Sequence, residues 1–162
     1  MVDQAARQKA IDPHGSYIVQ APAGSGKTEL LIQRYLGLLA QVNNPEEILA
    51  ITFTRKATEE MRTRISDALL AAREAPGQEL QDHERLTRQL AKAVLAQDQK
   101  MGWQLLEFPR RLRISTIDAF CANLVRQMPF LSRMGSFPDL LDPAGPIYVR
   151  AIEKLLAQAH GN

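Results

Sequence analysis

The segment from Ala21 to Thr28 reads Ala-Pro-Ala-Gly-Ser-Gly-Lys-Thr, the spacing of a phosphate-binding loop (P-loop) apart from its first position. Ala21 stands where that pattern begins with glycine, so it must accept the turn with a negative φ. The glycines let the N–H groups of Ala23–Lys27 turn toward phosphates without a Cβ clash. Lys27 would neutralise the β- and γ-phosphates, and the Thr28 hydroxyl would bind Mg²⁺, which makes these two the candidate catalytic residues. The predicted nucleotide site comprises Ala21, Pro22, Ala23, Gly24, Ser25, Gly26, Lys27, Thr28 and the adjoining Glu29. The alternative is a Gly/Ser turn followed by an unrelated lysine.

A loop of this kind typically lies between a buried strand and a helix, and the flanking sequence predicts both. Ser16–Gln20 is a β-prone run, and a helix is expected from about Lys27 to Gln41. The inward face of that helix is predicted to carry Leu30, Leu31, Tyr35, Leu38 and Leu39. A second strand, Ile48–Phe53, is apolar enough for burial on both faces, and a long helix through Met61–Ala72 follows it, ending at Pro76–Gly77. A buried parallel pair of strands is therefore expected.

The rest of the chain predicts a peripheral insertion, a third strand and further helices. Residues 79–98 read as a polar helix, followed by a short helix through Trp103–Leu106. Leu112–Ser115 reads as a strand, and the helix after it has an apolar face ended by Pro129. Residues 131–146 are rich in proline and glycine, and 147–159 form an amphipathic helix. We expect one domain over residues 1–130, then a linker and the start of a helical subdomain over 131–162.

Composition leaves a nucleic-acid partner open without requiring one. The formal net charge is +2, a mild basic balance, so local clusters must carry any such argument. A single cysteine, Cys121, is typical of a reducing compartment, and no Cys/His spacing resembles a zinc site. No apolar run approaches the ~18 residues of a membrane span. These features favour a cytoplasmic protein without membrane contact, whose metal arrives with its nucleotide.

The segment Thr52–Ile65, T-F-T-R-K-A-T-E-E-M-R-T-R-I, resembles motif Ia of the UvrD/Rep superfamily 1 DNA helicases, T-F-T-N-K-A-A-x-E-M-x-x-R. It would place an aromatic and small hydroxyls at the carboxyl end of a strand, where ligands gather in open α/β sheets. Phe53 could then stack on a base of single-stranded DNA, and Thr52, Thr54, Arg55 and Lys56 could hold phosphates. The alternative for Phe53 is a core aromatic at a strand end. Arg62 and Arg64 read as a solvated helix face.

The segment Arg113–Cys121, R-I-S-T-I-D-A-F-C, resembles the next DNA-contacting segment of this family, in the T-I-H-x-F-C form of its RecB/AddA-type exonuclease-helicase branch. Asp118 replaces the histidine, and because a carboxylate would repel phosphate we expect it to cap the following helix. Thr116 is the better candidate for a DNA contact. The basic run Arg110–Arg113 either follows the same track or is a solvated face.

The N-terminal helix predicted over residues 3–11 resembles the family's Q-motif, whose glutamine reads the adenine edge about three residues before an alanine. Arg7 holds that position before Ala10, with Gln4 and Gln8 on either side. Either glutamine could serve as adenine reader, or Arg7 could stack on the base.

Together the resemblance spans residues 2 to about 130 and implies an α/β fold: a RecA-like P-loop NTPase with a parallel sheet flanked by helices, incomplete, and a helical C-terminal extension. It implies an ATP-dependent DNA helicase that uses ATP and Mg²⁺, translocates on single-stranded DNA, and acts in DNA repair or recombination. A nuclease subunit or domain would be a further partner. Hydrolysis also needs an acidic residue after another strand, and Leu140–Asp142 lies between prolines that a central strand would not accept. We therefore expect the ATP-binding N-terminal piece of a motor, inactive alone. A stand-alone nucleotide-binding regulatory module and a P-loop small-molecule kinase remain alternatives.

Overall fold

The computed structural model describes residues 2–22, 24–74, 81–128 and 145–159, and the chain divides into two compact units, residues 1–121 and 122–162. The described helices and strands are α1 (Val2–Ile11), α2 (Lys27–Leu39), β1 (Leu49–Thr52), α3 (Arg55–Arg73), α4 (Asp82–Met101), β2 (Arg113–Thr116), α5 (Ile117–Gln127) and α6 (Gly145–Ala159). Short 3₁₀ turns at Pro45–Glu47 and Pro109–Arg111 precede the two strands. The described part is thus mostly helical around a small sheet.

The sheet has two parallel strands in the described residues, with Leu49 opposite Arg113 and Thr52 opposite Thr116. Each strand lies within one residue, at either end, of a predicted run, Ile48–Phe53 or Leu112–Ser115. The expected parallel pair is wrong, however: it joined Ser16–Gln20 to Ile48–Phe53, whereas β1 pairs with β2. The prediction that β1 is buried on both faces is wrong, since Leu49 and Ile51 are exposed. Helix α3 covers the other face of the strands, which is why only alternate residues are shielded.

The predicted strand Ser16–Gln20 does not form, and Ile18 is 99% exposed. A β-prone run becomes a strand only beside a partner, and β1 and β2 pair with each other. The carbonyl of Gly15, just before the run, instead accepts a hydrogen bond from Arg34 at 2.6 Å. The segment therefore enters the phosphate loop as irregular chain.

Helix α2 runs through the centre of the first unit, and its buried face differs from the predicted one. Leu30, Tyr35 and Leu39 are buried as expected, but Leu31 is 51% exposed and Leu38 is half-buried. Ile32 and Leu36 are buried instead. The reason is that α1, α3 and α4 all contact α2, so its neighbours and not its most apolar stripe decide which face is covered.

Helix α4 belongs to the core and is not the predicted peripheral insertion. Ala91 and Val94 are fully buried where α4 packs against α2 and α3. The short helix predicted through Trp103–Leu106 is a turn, because Gln104 has a φ of +59°, outside the helical region. Trp103 still fills the core, and its indole N–H donates to the Asn43 carbonyl at 2.9 Å.

The second unit contains the end of α5 and the amphipathic helix α6. In α6 the side chains of residues 145–158 are all exposed, including Ile147, Ile152 and Leu155. The predicted linker and the helix ends at Pro76–Gly77 and Pro129 lie mostly or wholly outside the described residues. None of the helices in the described ranges has the length and apolarity that crossing a membrane would require.

Candidate functional site

The phosphate loop is shaped by two glycines in the left-handed region. Gly24 has a φ of +77° and Gly26 a φ of +78°, while the Ser25 N–H bonds the Pro22 carbonyl at 3.4 Å. Alternating backbone handedness of this kind turns successive N–H groups to one side and makes a concave anion-binding surface. Ala23 lies outside the described residues.

Helix α2 starts directly behind the loop with no side chain from the described residues capping it. Gly26 is its N-cap residue and makes no side-chain cap bond, although the Leu30 N–H already bonds the Gly26 carbonyl at 3.1 Å. The first N–H groups of a helix otherwise need a capping oxygen, and they carry partial positive charge. An anion such as a phosphate is the ligand that suits this end of α2.

Lys27 folds over the loop it follows. Its ammonium donates to the carbonyl of Ala21 at 2.6 Å and to that of Pro22. The charge therefore lies across the start of the loop. Thr28, the predicted Mg²⁺ ligand, is exposed in the first turn of α2.

Arg7 of α1 also contacts the loop, where its guanidinium donates to the Ser25 carbonyl. A cleft of about 320 Å³ beside the loop is lined by Arg7, Lys27 and the segment Tyr17–Ala21, and another of about 610 Å³ by Arg7, Gln8 and Gly24–Gly26. Gln8 is exposed. Gln4 lies in α1, but its side chain is outside the described part of the chain.

Glu29 faces α4 in this structure. Its carboxylate accepts from the Thr87 hydroxyl at 2.5 Å and from the Gln33 amide at 3.4 Å, and Gln33 also donates to the Thr87 oxygen at 2.9 Å. These bonds tie the first two turns of α2 to α4, which holds the helix behind the loop.

The strand ends form a second candidate site. Because Thr52 and Thr116 are opposite each other in a parallel ladder, the segments that follow them leave the same edge of the sheet, about 4.8 Å apart. Phe53 is 88% exposed there, so it is not a core aromatic. Arg55 and Lys56 are exposed in the first turn of α3.

Threonine hydroxyls at this edge cap the helices that begin there. The Thr54 hydroxyl accepts from the Ala57 N–H at 3.1 Å, and the Thr116 hydroxyl accepts from the Ala119 N–H at 3.2 Å. The expectation that Asp118 caps α5 is therefore wrong: Asp118 lies in the first turn of the helix, after the capping position. The Thr52 hydroxyl is 2.6 Å from that of Thr58, inside the edge.

The basic run Arg110–Arg113 lies at the amino end of β2, whereas Thr116 lies at the carboxyl end of the same strand. The run therefore does not follow a DNA track past Thr116. Arg111 makes a two-pronged ion pair with Glu46, at 2.7 and 3.2 Å. Its hydrogen bond is the main cause that holds the pKa of Glu46 below its usual range. Arg113 donates to the Glu46 carbonyl at 3.2 Å. The run thus fastens the start of β2 to the turn before β1.

Arg62 also departs from its predicted role, whereas Arg64 follows it. The Arg62 guanidinium donates to the Ile114 carbonyl of β2 at 3.0 Å, and its side chain is only 22% exposed. Arg64 is exposed and pairs with Glu60 one turn away on the same helix. Arg62 is a sheet contact and not part of a solvated face.

Sequence reasoning missed two residues near these sites. Ile117, one residue beyond Thr116, is 48% exposed beside the Phe53 edge, and only the strand register reveals this. Arg34 of α2 donates to backbone carbonyls in the last turn of α1 and in the segment after it, and its guanidinium lies over the Tyr17 ring at 5.3 Å. The sequence holds no local signal for that contact, which spans 17 positions. Within the described ranges no three acidic, histidine or cysteine side chains are grouped to hold a metal ion.

Residues 2–159 match the model of the UvrD/REP helicase N-terminal domain. The chain is similar to bacterial proteins that are each named as one subunit of an ATP-dependent helicase/nuclease. That of Lactobacillus acidophilus is 34% identical over 157 residues, or 94% of this chain and 11% of the relative. That of Desulfitobacterium hafniense is 35% identical over 156 residues, or 94% and 10%. That of Lactobacillus helveticus is 36% identical over 138 residues, or 84% and 10%. The chain spans about a tenth of the length of these curated relatives.

Proposed function

Because this chain belongs to the UvrD/REP helicase N-terminal domain family, we propose that it is the nucleotide-binding portion of an ATP-dependent DNA helicase with a RecA-like P-loop fold. The relatives are named for an ATP-dependent helicase/nuclease, which supports the helicase role. The same name supports a nuclease subunit or domain as a partner. DNA repair or recombination is the process in which such a helicase and nuclease would act together.

The observation that carries the proposal is the uncapped start of α2 behind two left-handed glycines, with Lys27 folded across the loop. A triphosphate fits this arrangement, since it supplies the oxygens that the helix N-terminus lacks and the negative charge that Lys27 can exchange for two carbonyls. Bound Mg²⁺ would neutralise charge developing on the phosphates. Within this chain, Thr28 would hold the metal and Lys27 would hold the β- and γ-phosphates.

Single-stranded DNA is proposed to lie along the strand-end edge. Stacking of a base on an exposed aromatic is worth about 1–3 kcal/mol and ignores sequence, which suits a motor that moves along any strand. Phe53 provides the face, while Arg55 and Lys56 provide charge for phosphates. The hydroxyls of Thr54 and Thr116 accept in their caps, and each has a proton left to donate to a phosphate oxygen.

We propose that this chain binds ATP without turning it over. The residues assigned here bind and orient a nucleotide, but none of them is an acid placed to orient the attacking water. ATP turnover at rates typical of complete motors, stimulated by single-stranded DNA, would contradict this part of the proposal.

Lys27→Ala tests the nucleotide site. We expect it to weaken ATP binding by roughly a hundredfold, because one charge with two phosphate contacts is lost. Binding of a labelled oligo-dT should be unchanged. Both affinities can be measured on the 162-residue chain by calorimetry and by fluorescence anisotropy.

Lys56→Ala is the matched control, since it makes the same chemical change at the other site. We expect it to leave ATP binding intact, weaken oligo-dT binding, and reduce the slope of log affinity against log salt by about one. Equal loss of ATP binding in both variants would show that Lys27 acts only through overall charge, and would overturn the site assignment.

A further inference from the structure

Arg7 is the side chain from α1 that reaches the phosphate loop. Its guanidinium donates to the Ser25 carbonyl, and one of its nitrogens is 3.3 Å from where a Cβ on Gly26 would stand. The guanidinium therefore lies against the Ser25–Gly26 peptide, in the wall that both clefts share.

The hydrogen bond from Arg7 to the Ser25 carbonyl also fixes the direction of the Gly26 N–H, a donor that a phosphate ligand would need. In a trans peptide the C=O and the following N–H point in opposite directions. Holding the Ser25 oxygen on the α1 side therefore turns the Gly26 N–H to the other side. Gly26 is the residue at the start of α2, with a φ of +78°, where the helix has no side-chain cap in the described part of the chain.

Helix α1 delivers Arg7 from a fixed position because its far end is anchored. Arg34 of α2 donates to the carbonyls of Ala10 at 2.8 Å, Asp12 at 2.6 Å and Gly15 at 2.6 Å. Arg34 follows the loop and Arg7 precedes it, so α1 is held against both the loop and the helix that the loop starts.

We propose that Arg7 is a positioning residue that orients the Ser25–Gly26 peptide for a polyphosphate and does not read the base. This inference rests on the proposed nucleotide site and deepens it. Arg7 contributes to the binding of the phosphate groups, which all nucleoside triphosphates share, and not to the binding of the base. Its effect is therefore the same for ATP, for GTP and for inorganic tripolyphosphate, which has no base.

The test compares the affinities of the 162-residue chain for these three ligands in Arg7→Ala, Arg7→Lys and Lys92→Ala. Lys92 is exposed on α4 and controls for the loss of one positive charge. We expect Arg7→Ala to weaken all three ligands by the same factor of about ten, the size of one hydrogen bond from a charged donor. Arg7→Lys should recover part of the loss, because an ammonium can still donate to the Ser25 oxygen, and Lys92→Ala should change nothing.

Two results would overturn the inference. One is a loss for ATP with tripolyphosphate unchanged, or a shifted ratio of ATP to GTP affinity, because Arg7 would then act on the base. The other is no change in Arg7→Ala. If the wild-type chain bound none of the three ligands, the nucleotide site itself would fail.

A measurement without ligand separates that failure from the role of Arg7. The amide resonance of Gly26 should shift in ligand-free Arg7→Ala and return toward its wild-type position in Arg7→Lys. An unchanged Gly26 resonance would show that Arg7 does not orient the peptide, whether or not nucleotide binds.

Discussion

Three helices begin beside the two candidate sites, and they begin differently. The first turn of α2 has no side-chain cap in the described residues, whereas α3 and α5 start at the hydroxyls of Thr54 and Thr116. A satisfied helix end gains little from an anion, while an uncapped one gains a ligand for its orphan N–H groups. The phosphate loop is therefore suited to a compact polyanion, and the strand-end edge to a ligand held mainly by stacking.

The functional side chains of the phosphate loop and of the strand-end edge also differ in how many protein contacts they make. Around the loop, Lys27, Arg7 and Arg34 all donate to backbone carbonyls. At the strand ends, Phe53, Arg55 and Lys56 point into solvent. The loop region is built before its ligand arrives, whereas the strand-end region gains its contacts only when DNA is present. Variants should therefore affect the regions separately.

Arg34→Ala should have the largest effect, and only on the loop side. It removes three hydrogen bonds from a charged donor, and because the site is half-buried we expect a loss of about 2–4 kcal/mol in the free energy of unfolding. Urea denaturation measures this. At temperatures where the variant is folded, ATP binding should weaken and oligo-dT binding should not.

Arg34→Lys is the matched variant, since an ammonium keeps the charge but cannot span three carbonyls as the planar guanidinium does. It should recover less than half of the lost stability. Equal weakening of ATP and oligo-dT binding in Arg34→Ala would break the comparison, because the two regions would then depend on one common support.

Phe53→Ala should have the opposite pattern: it should weaken DNA binding and leave ATP binding intact. Removing a stacking face worth about 1–3 kcal/mol predicts oligo-dT binding weaker by roughly 5- to 150-fold, with ATP binding unchanged. Phe53→Trp should keep the affinity. Phe108 is the control: it is 53% exposed but lies at the amino end of β2, so Phe108→Ala should leave oligo-dT binding as it is. The same loss in both variants would mean that DNA does not select the strand-end edge.

The sequence predicted those features that depend on near neighbours along the chain. The loop spacing placed two turn-forming glycines before a helix, and the apolar runs located β1 and β2, although not their pairing with each other. The cap of α5 was predicted on the wrong residue, because Asp118 and Thr116 are both good capping types and only the helix start decides between them.

Features that depend on distant parts of the chain could not be read from the sequence. Ser16–Gln20 has strand composition but lacks an adjacent strand among the described residues, and Leu31 lies on the most apolar stripe of α2 yet faces away from its neighbours. Arg62 read as a solvated charge, and Arg111 as either a solvated charge or part of a DNA track. Arg111 instead binds Glu46, 65 positions away, and Arg62 binds the Ile114 carbonyl, 52 positions away. The fold decides such partners.

Thr54→Ala tests the helix ends directly. Loss of an N-cap hydroxyl should lower the free energy of unfolding by about 1 kcal/mol. Thr63→Ala is the matched control on the same helix: Thr63 is exposed in the middle of α3, where alanine is a better helix former, so its stability should stay equal or rise slightly. Equal loss in both would mean that the Thr54 bond does not stabilise α3, and the contrast between capped and uncapped helices would disappear.

The smallest effect is expected at the amino ends of the strands, away from both sites, where Glu46 pairs with Arg111. The folded pKa of Glu46 is depressed, so the pair stabilises the fold above the ordinary glutamate pKa of about 4.3, and its contribution is lost as pH falls through the lower folded value. Because both partners are partly exposed, Glu46→Gln should cost only about 0.2–1 kcal/mol at pH 7.

That difference from wild type should shrink toward zero in acid, as urea denaturation at a series of pH values would show. Glu107→Gln, which removes an exposed carboxylate placed in no ion pair with another described residue, should show no such trend. ATP and oligo-dT binding should be unchanged in both variants at pH 7. A change in either affinity in Glu46→Gln would mean that the strand starts are coupled to a ligand site, and separate variation of the two regions would no longer be expected.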